Sequence, residues 1–437
     1  MSVNAVAALR PLRYRNFAVL WTASLISNVG SWMQTVAVGA LVISRTGQAS
    51  WAVLVAAGAF LPIGLLSPVG GALADRLPRR PMIAAGNLVA GLIAAAIAVL
   101  VARGQAGPYT LLALVTLQGS ASALIGPFSQ AILPDLVPRS EFLAASSLNS
   151  AQWNAGRIVG PALAGATVAA FGFAASFVAN AVSFLAVVMA LLFVRLAPPP
   201  GGQAGLFSSM RQGLAAAWAQ PSCRAATISI GTVAVLAAPF IALVPAVALS
   251  LTRGGTSAAG APSVAAATAA LTTAQGAGAI AGALILPPLA ARIGRGQSLG
   301  WSLGLLPVVL VGYGVARSLW LAVLALFVVG LVYMWVLSGL QTVAQLHAPA
   351  AYRGRVLSFF LVALGVAYPV GALAQGPIAN HIGVAWTTVT ASVVLAVIYL
   401  LVVWRRPGFI RALLAREPGE EVRAEEPAYP AGQTAEC

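Results

Sequence analysis

Apolar residues in this chain come in long unbroken runs, not at the one-face spacing of a surface helix or the alternation of a strand. Twelve runs fall at roughly 17–43, 50–72, 82–102, 108–132, 142–170, 173–195, 225–250, 263–290, 298–316, 319–346, 356–380 and 384–404. Most reach the ~20 residues that a helix needs to cross a bilayer, and short polar or Gly/Pro-bearing breaks separate them. The pattern predicts an all-α membrane protein with twelve transmembrane helices in two pseudo-symmetric six-helix bundles. Twelve is an even number, so both termini are expected on one side. The expected organisation is an N-terminal segment (1–16), a first bundle (17–195), a linker (196–224), a second bundle (225–405) and a tail (406–437). The linker opens on Ala-Pro-Pro-Pro-Gly-Gly and carries a candidate short helix over Ser208–Ala219. Past Arg416 the chain is rich in Glu, Pro, Gly and Ala, has little to bury and is expected to be disordered.

Composition strengthens the membrane reading. Hydrophobic residues make up 60% of the chain and charged ones 8%, against roughly 25% charged in soluble domains. The net charge of +15 does not point to nucleic acid, because the arginines form no single patch. There is no lysine. Nineteen arginines fall in the segments predicted on the side of the termini, and four (Arg45, Arg103, Arg253, Arg317) on the other. By the positive-inside rule the crowded side is cytoplasmic, which predicts a plasma (bacterial inner) membrane protein with both termini inside. The first run is longer than a signal-peptide core and no small-x-small site follows it, so no cleaved leader is expected. Cys223 and Cys437 both fall in segments predicted to be cytoplasmic, where a structural disulfide is not expected.

Two internal echoes support the two halves. Gly160, Gly165 and Gly172 recur as Gly371, Gly376 and Gly383, each 211 residues later. Leu73-Ala74-Asp75-Arg76-Leu77 is echoed by Leu289-Ala290-Ala291-Arg292-Ile293, 216 residues later. Parallel repeats about an axis along the membrane normal are a transporter pattern.

The loop Gly71-Ala72-Leu73-Ala74-Asp75-Arg76-Leu77-Pro78-Arg79-Arg80 packs one acid and three arginines between the second and third runs. Its spacing resembles the G-x-L-A-D-R/K-x-G-R/K-R/K loop of the major facilitator superfamily, with Pro78 where that family usually has Gly. The resemblance implies a gating latch. Asp75 would cap the start of the eleventh helix, near Arg355-Val356, and a loop arginine would pair with an acid at the end of the fourth, here Asp135. Free N–H groups at a helix start favour an anion. Plain topology is the competing reading: arginines hold the loop inside and Asp75 offsets their repulsion.

In the fifth run, Gly156-Arg157-Ile158-Val159-Gly160-Pro161-Ala162-Leu163-Ala164-Gly165 spaces Gly156 and Gly160 for close backbone approach, and Pro161 permits a bend. It resembles the fifth-helix antiporter motif of the same superfamily, G-x-x-x-G-P-x-x-G-G, with Ala164 replacing one Gly; there the motif accompanies export. Ordinary tight helix packing would use the same spacing. Arg157 is the one ionisable residue placed inside a run. It either lines a cavity and binds an anionic or carbonyl-rich part of a substrate, or is satisfied by carbonyls and Tyr hydroxyls within the bundle. Asn154 shares its helix face, and Asn149 and Trp153 continue its line.

Further substrate-binding candidates are neutral: Asn28, Trp32 and Gln34; Gln118 and Ser122; Thr272 and Gln275; Tyr333, Trp335 and Gln341; Tyr368 and Gln375. No Asp or Glu lies in any predicted span. A substrate cation and a coupling proton therefore have no evident membrane carboxylate. A neutral or anionic substrate is expected, with any proton carried at an edge group or on the substrate. His347 and His381 are expected near opposite membrane faces.

Leu9–Trp21, Ser27–Gln34 and Ala145–Gly165 resemble the enterobactin-exporter-like branch of the superfamily, whose members export siderophores or confer macrolide or drug efflux. The resemblance implies a secondary active exporter of a small molecule, siderophore-like or macrolide/drug-like, coupled to protons, working by alternating access as a monomer without cofactor. A lipid or lysolipid flippase on the same fold is the nearer alternative. A polytopic enzyme is disfavoured by two isolated histidines and the absence of clustered acids. With no Lys there is no phosphate-binding P-loop.

Overall fold

The computed structural model describes residues 9–194, 214–215, 217–253, 261–349 and 353–414. The long helices are α1 (Arg15–Thr46), α2 (Ala49–Ala74), α3 (Arg79–Ala102), α4 (Pro108–Ala131), α5 (Phe142–Phe171) and α6 (Phe173–Phe193), then α7 in two pieces (Pro221–Leu236 and Phe240–Arg253), α8 (Ala261–Ile293), α9 (Arg295–Gly314), α10 (Leu319–His347), α11 (Arg353–Ile382) and α12 (Val384–Arg405). Each follows one of the apolar runs. The disorder expected beyond Arg416 falls outside the described residues. Of the short helix expected over Ser208–Ala219, only residues 214–215 and 217–219 are described, and they are helical.

Among the described residues, ten helices are long and apolar enough to cross a membrane. The exceptions, α5 and α9, carry the polar groups: Ser146 to Arg157 in one, the Arg295-Gly296-Gln297-Ser298 opening in the other. Large apolar side chains point outward all around the molecule, among them Leu92, Leu192, Val308, Leu324, Trp386 and Leu400. A soluble protein rarely exposes so much contiguous apolar surface. Lipid would cover it.

Helix ends follow local chemistry. Gly47 closes α1 at φ 67°, and the Ser318 hydroxyl caps α10 by accepting from Leu321 N–H at 3.4 Å. Gly172 (φ 79°) and Gly383 (φ 85°) make the turns from α5 into α6 and from α11 into α12. Only glycine takes that conformation cheaply, so the third echoed glycine is explained. The break in α7 also has a local cause. Pro239 has no N–H to offer the Val235 carbonyl four residues back. Gln375 of α11 donates to the Val235 and Leu236 carbonyls instead, at 3.0 and 3.1 Å.

Helix contacts repeat with a shift of six. The pairs α1–α5, α2–α4, α3–α4 and α3–α6 match α7–α11, α8–α10, α9–α10 and α9–α12. Between the first six helices and the rest, α2–α11 matches α8–α5, and α1–α8 matches α7–α2. The echoed glycines sit at matching places. A Cβ on Gly160 would lie 2.5 Å from Trp32 Cβ and 2.8 Å from the Val29 carbonyl in α1, and one on Gly371 would strike the Val235 carbonyl in α7. Gly165 faces Ala269 in α8, and Gly376 faces Ser50 and Val53 in α2.

Candidate functional site

A cavity of about 1380 Å³ lies between the two sets of helices. Its wall comes mainly from α1–α5, with Ile241 and Pro245 of α7 and Phe359 to Tyr368 of α11 on the far side. The lining reaches Asp75, Leu136 and Ser146 at the arginine-rich end. Toward the opposite end it stops near Val38, Gly39, Ala52 and Pro245. There Pro245 packs onto Gly39, where a Cβ would lie 2.9 Å from its ring. Beyond it Asn380 of α11 donates to Ser50 Oγ at 2.8 Å and accepts from Ser50 N–H at 3.2 Å. The cavity therefore opens at the arginine-rich end and is closed at the other.

Of the latch residues, Arg79 and Asp135 meet. Arg79 Nη1 lies 2.9 Å from Asp135 Oδ2, with the arginine 9% and the acid 21% exposed. The same nitrogen donates to the Ala131 carbonyl at 3.0 Å, tying the start of α3 to the end of α4. Arg80 donates to the Leu192 carbonyl at 3.1 Å, at the end of α6. Arg76 is exposed. Gly71 and Asp75 stand on the cavity wall, Gly71 with open space around it and Asp75 exposed. The cap expected from Asp75 at the start of α11, near Arg355-Val356, falls where residues 350–352 and the side chains of 353–355 lie outside the description.

The fifth-helix motif is wedged between α1 and α8. Gly156 and Gly160 admit Asn28 and Trp32 of α1, and Gly165 admits Ala269 of α8. Pro161, Gly160 and Gly165 are buried. From the other side, Gly276 of α8 sits against the Arg157 carbonyl, where a Cβ would lie 3.0 Å away.

The substrate candidates divide. Asn28, Trp32, Gln34, Gln118 and Tyr368 line the cavity; Asn154, Arg157, Gln275, Tyr333 and Gln341 do not. Gln34 and Gln118 are hydrogen-bonded to each other, and Asn180 of α6 donates to Gln34 Oε1 at 2.7 Å. Ser183 donates to Asn180 Oδ1 at 3.1 Å, completing a buried network across α4, α1 and α6. Asn180 and Ser183 were not among the sequence candidates, since an isolated Asn in an apolar helix gives no pattern. Asn28 Nδ2 donates to the Gln152 carbonyl at 3.1 Å, and Asn154 to the Ser150 carbonyl at 2.9 Å. Trp335 donates to the Gly282 carbonyl at 2.8 Å, holding α10 to α8.

Arg157 lies just behind the wall. Its guanidinium carbon is 6.0 Å from the Trp32 ring centre, the outer reach of a cation–π contact. Trp32 in turn meets Trp153 edge-on at 6.3 Å. The Arg157 Nε is buried without a hydrogen-bond partner, as are Gln275 Nε2, Tyr368 Oη and Asn28 Oδ1. Tyr333 of α10 and Tyr368 of α11 are both buried. Tyr368 also packs edge-on against Phe60 of α2 at 5.7 Å. Among the described residues no cluster of His, Cys, Asp and Glu suited to a metal ion occurs.

Known proteins resemble this arrangement at two levels. The staphyloferrin A transporter of Staphylococcus aureus is 30% identical over 173 residues, 39% of this chain and 44% of its own length. The multidrug efflux pump Tap of Mycobacterium tuberculosis is 27% identical over 213 residues, 46% of this chain and 50% of its own length. The matched stretch thus spans about half the length of these curated relatives. A crystal structure of a bacterial homologue of the human lysosomal transporter Spinster, inward-facing and occupied, superposes with a TM-score of 0.71. It covers 91% of this chain and 98% of that one at 16% identity, a likeness of fold. The relatives and structural neighbours are described as transporters, none as an enzyme. The model of the transmembrane secretion effector family matches residues 6–416, and this chain, with its superfamily-type loop between α2 and α3 and its helix contacts repeated with a shift of six, belongs to that family of the major facilitator superfamily.

Proposed function

We propose that the protein is a secondary active exporter that works by alternating access, with twelve membrane crossings in two pseudo-symmetric six-helix bundles. The arginine-rich end faces the cytoplasm of a plasma (bacterial inner) membrane, and the protein acts as a monomer. The observation that carries this reading is the cavity itself, open at the arginine-rich end and closed opposite by Pro245 on Gly39 and Asn380 on Ser50. A solute would enter from the cytoplasm and leave after the two halves rock about it. The substrate is a neutral or anionic small molecule of siderophore or drug type. Two features support this: no acidic residue occurs within the long helices, and Arg157 lies beside the wall. A staphyloferrin A transporter and a multidrug efflux pump among the relatives fit the same reading. Any coupling proton would use Asp75, on the cavity wall, Asp135, or an acid of the substrate.

Uptake into everted membrane vesicles tests this, with and without an imposed proton gradient, using a catechol siderophore, a macrolide and a cationic dye. Gradient-dependent uptake of either of the first two, with the dye excluded, is the expected result. Uptake led by the dye would overturn the substrate class. Rates unchanged by collapse of the gradient would overturn proton coupling. Uptake of a lysolipid from the bilayer alone would replace the reading with a flippase.

A further inference from the structure

The export reading leaves open what the cavity grips, and the following inference rests on that reading. We propose that Arg157, reached at the wall beside the Trp32 ring, and Tyr368, on the wall beside Phe60, form the docking subsite for one acidic group of the substrate, a monoanion whose aromatic or extended apolar body lies on Trp32 and Phe60.

The charge comes first. Arg157 is the sixteenth residue of the 30-residue α5, so it is about as far from either membrane face as the helix allows. Asp75, Asp135 and Glu141, the acids that precede the tail, lie beyond the ends of the long helices. No carboxylate of the helices can therefore neutralise this guanidinium at mid-membrane. An uncompensated charge at that depth is expensive and is kept where a ligand or a pathway uses it.

The unpartnered atoms then specify the ligand. Arg157 Nε and Gln275 Nε2 are donors with no acceptor, and the buried Tyr368 hydroxyl has none either. Gln275 and Arg157 share one level of the bundle, since Gly276, next to Gln275, packs on the Arg157 carbonyl, and Tyr368 stands as far along α11 as Arg157 does along α5. Buried donors without acceptors leave a hydrogen-bonding deficit. An ionised carboxylate or phenolate, which only accepts, fills it with charge-assisted bonds. A cation would add a second positive charge, and a neutral amide would bring donors of its own. The unpartnered acceptor nearby, Asn28 Oδ1, stands beside Trp32 and suits a hydroxyl or amide of the substrate body.

The internal repeat places the same residues about the axis between the halves. Arg157 and Tyr368 are 211 residues apart, the spacing of the echoed glycines, and Tyr368 is also the sixteenth residue of a 30-residue helix, α11. Their neighbours Phe60 and Gly276 are 216 apart, the spacing of the echoed loop. Arg157 against Gly276 and Tyr368 against Phe60 are thus one contact made twice, with a charge in one copy and a phenol in the other. A ligand held by both touches both halves, as rocking about a bound substrate requires.

The test uses the purified full-length protein and three probes of one shape: 2-naphthoate, 2-naphthamide and 2-naphthylmethylammonium. Naphthoate is expected to bind at least about tenfold tighter than the amide, with the ammonium weakest. Arg157→Gln should bring the acid-to-amide ratio to within about twofold, and Tyr368→Phe should lower it about three- to tenfold without moving the melting temperature of the empty protein. If Arg157→Gln does not fold, the wild-type ratio and Tyr368→Phe decide. A wild-type ratio near one, tightest binding of the ammonium, or a ratio unchanged in the variants would overturn the subsite. A ratio near one in protein that still drives vesicle uptake removes the subsite and leaves export standing. A preserved ratio without any vesicle uptake does the reverse.

Discussion

Arg79, 9% exposed, shares one nitrogen between Asp135 and the Ala131 carbonyl, while its Nε has no partner. Removing one member of a buried pair strands the other, so the variants should be worse singly than the pair's net worth suggests. Asp135→Asn is expected to cost about 2–3 kcal/mol, toward the lower side of such losses because the acid is partly wet. Arg79→Gln should cost a similar amount, and the double variant less than the sum. Melting of the purified protein in detergent measures all three, and strictly additive losses would show that the pair contributes nothing as a pair. The Gln118–Gln34–Asn180 network allows a second prediction. Gln34→Leu strands the Gln118 Oε1 acceptor and the Asn180 Nδ2 donor, at about 1–3 kcal/mol each, whereas Gln341→Leu, on a half-buried side chain with no such network, should cost little. The two networks differ in how far the sequence announced them. Asp135 was one of three acids before the tail and stood where a loop arginine wanted a partner, so the pair was legible. Asn180 is joined to Gln34 across 146 residues and carries no motif, so its role emerges only when α1 and α6 pack.

At the scale of elements, the helix ends and the repeat were legible because bilayer thickness, Gly turns and Pro breaks are all written locally. What each repeated glycine touches was not, since that depends on which helices meet. The structure assigns Gly160 to α1, Gly165 to α8, Gly371 to α7 and Gly376 to α2. A ranked series of alanine variants follows. Gly371→Ala would drive a methyl into the Val235 carbonyl, at the break that Gln375 caps, and neither backbone can yield cheaply. It is expected to cost about 2–3 kcal/mol, near the upper end of overpacking losses, and Gly160→Ala about 1–3 kcal/mol against Trp32 and Val29. Gly126, with nothing within 4 Å of its would-be Cβ, is the control. Its alanine variant should be neutral or up to about 1 kcal/mol more stable, since alanine is the better helix former. Thermal melts across the series check the order. Equal losses at Gly371 and Gly126 would mean that these helices do not approach as closely as described. The Pro239 break belongs here too: Gln375→Leu should destabilise by about 1–3 kcal/mol, because two carbonyls lose the amide that now serves them.

For the whole molecule the decisive question is which end opens, and the closing contact lies where sequence gave no sign. Ser50 and Asn380 are 330 residues apart, on α2 and α11, each unremarkable alone. Their paired hydrogen bonds and the close approach of Gly376 to Ser50 hold α2 and α11 together at the end away from the arginines. If transport requires that end to part, a covalent tie there should stop it, while the cavity stays open to the arginine-rich side. Ser50→Cys with Asn380→Cys, in a background with Cys223 and Cys437 replaced by Ser, provides the tie. The two side chains meet at 2.8 Å, and loss of free thiols on oxidation shows whether the bond, which needs Cα atoms within about 7 Å, has formed. Oxidation is expected to reduce vesicle uptake at least about tenfold, and reduction to restore it, since a carrier locked in one state cannot complete a cycle. Naphthoate binding should survive oxidation, because the cavity and the level of Arg157 remain reachable from the open end. Undiminished uptake by the fully cross-linked protein would mean that the solute does not leave between α2 and α11 at this end. Loss of binding together with uptake would instead place the tie within the binding site, and the clasp would have to be read as part of the pocket wall.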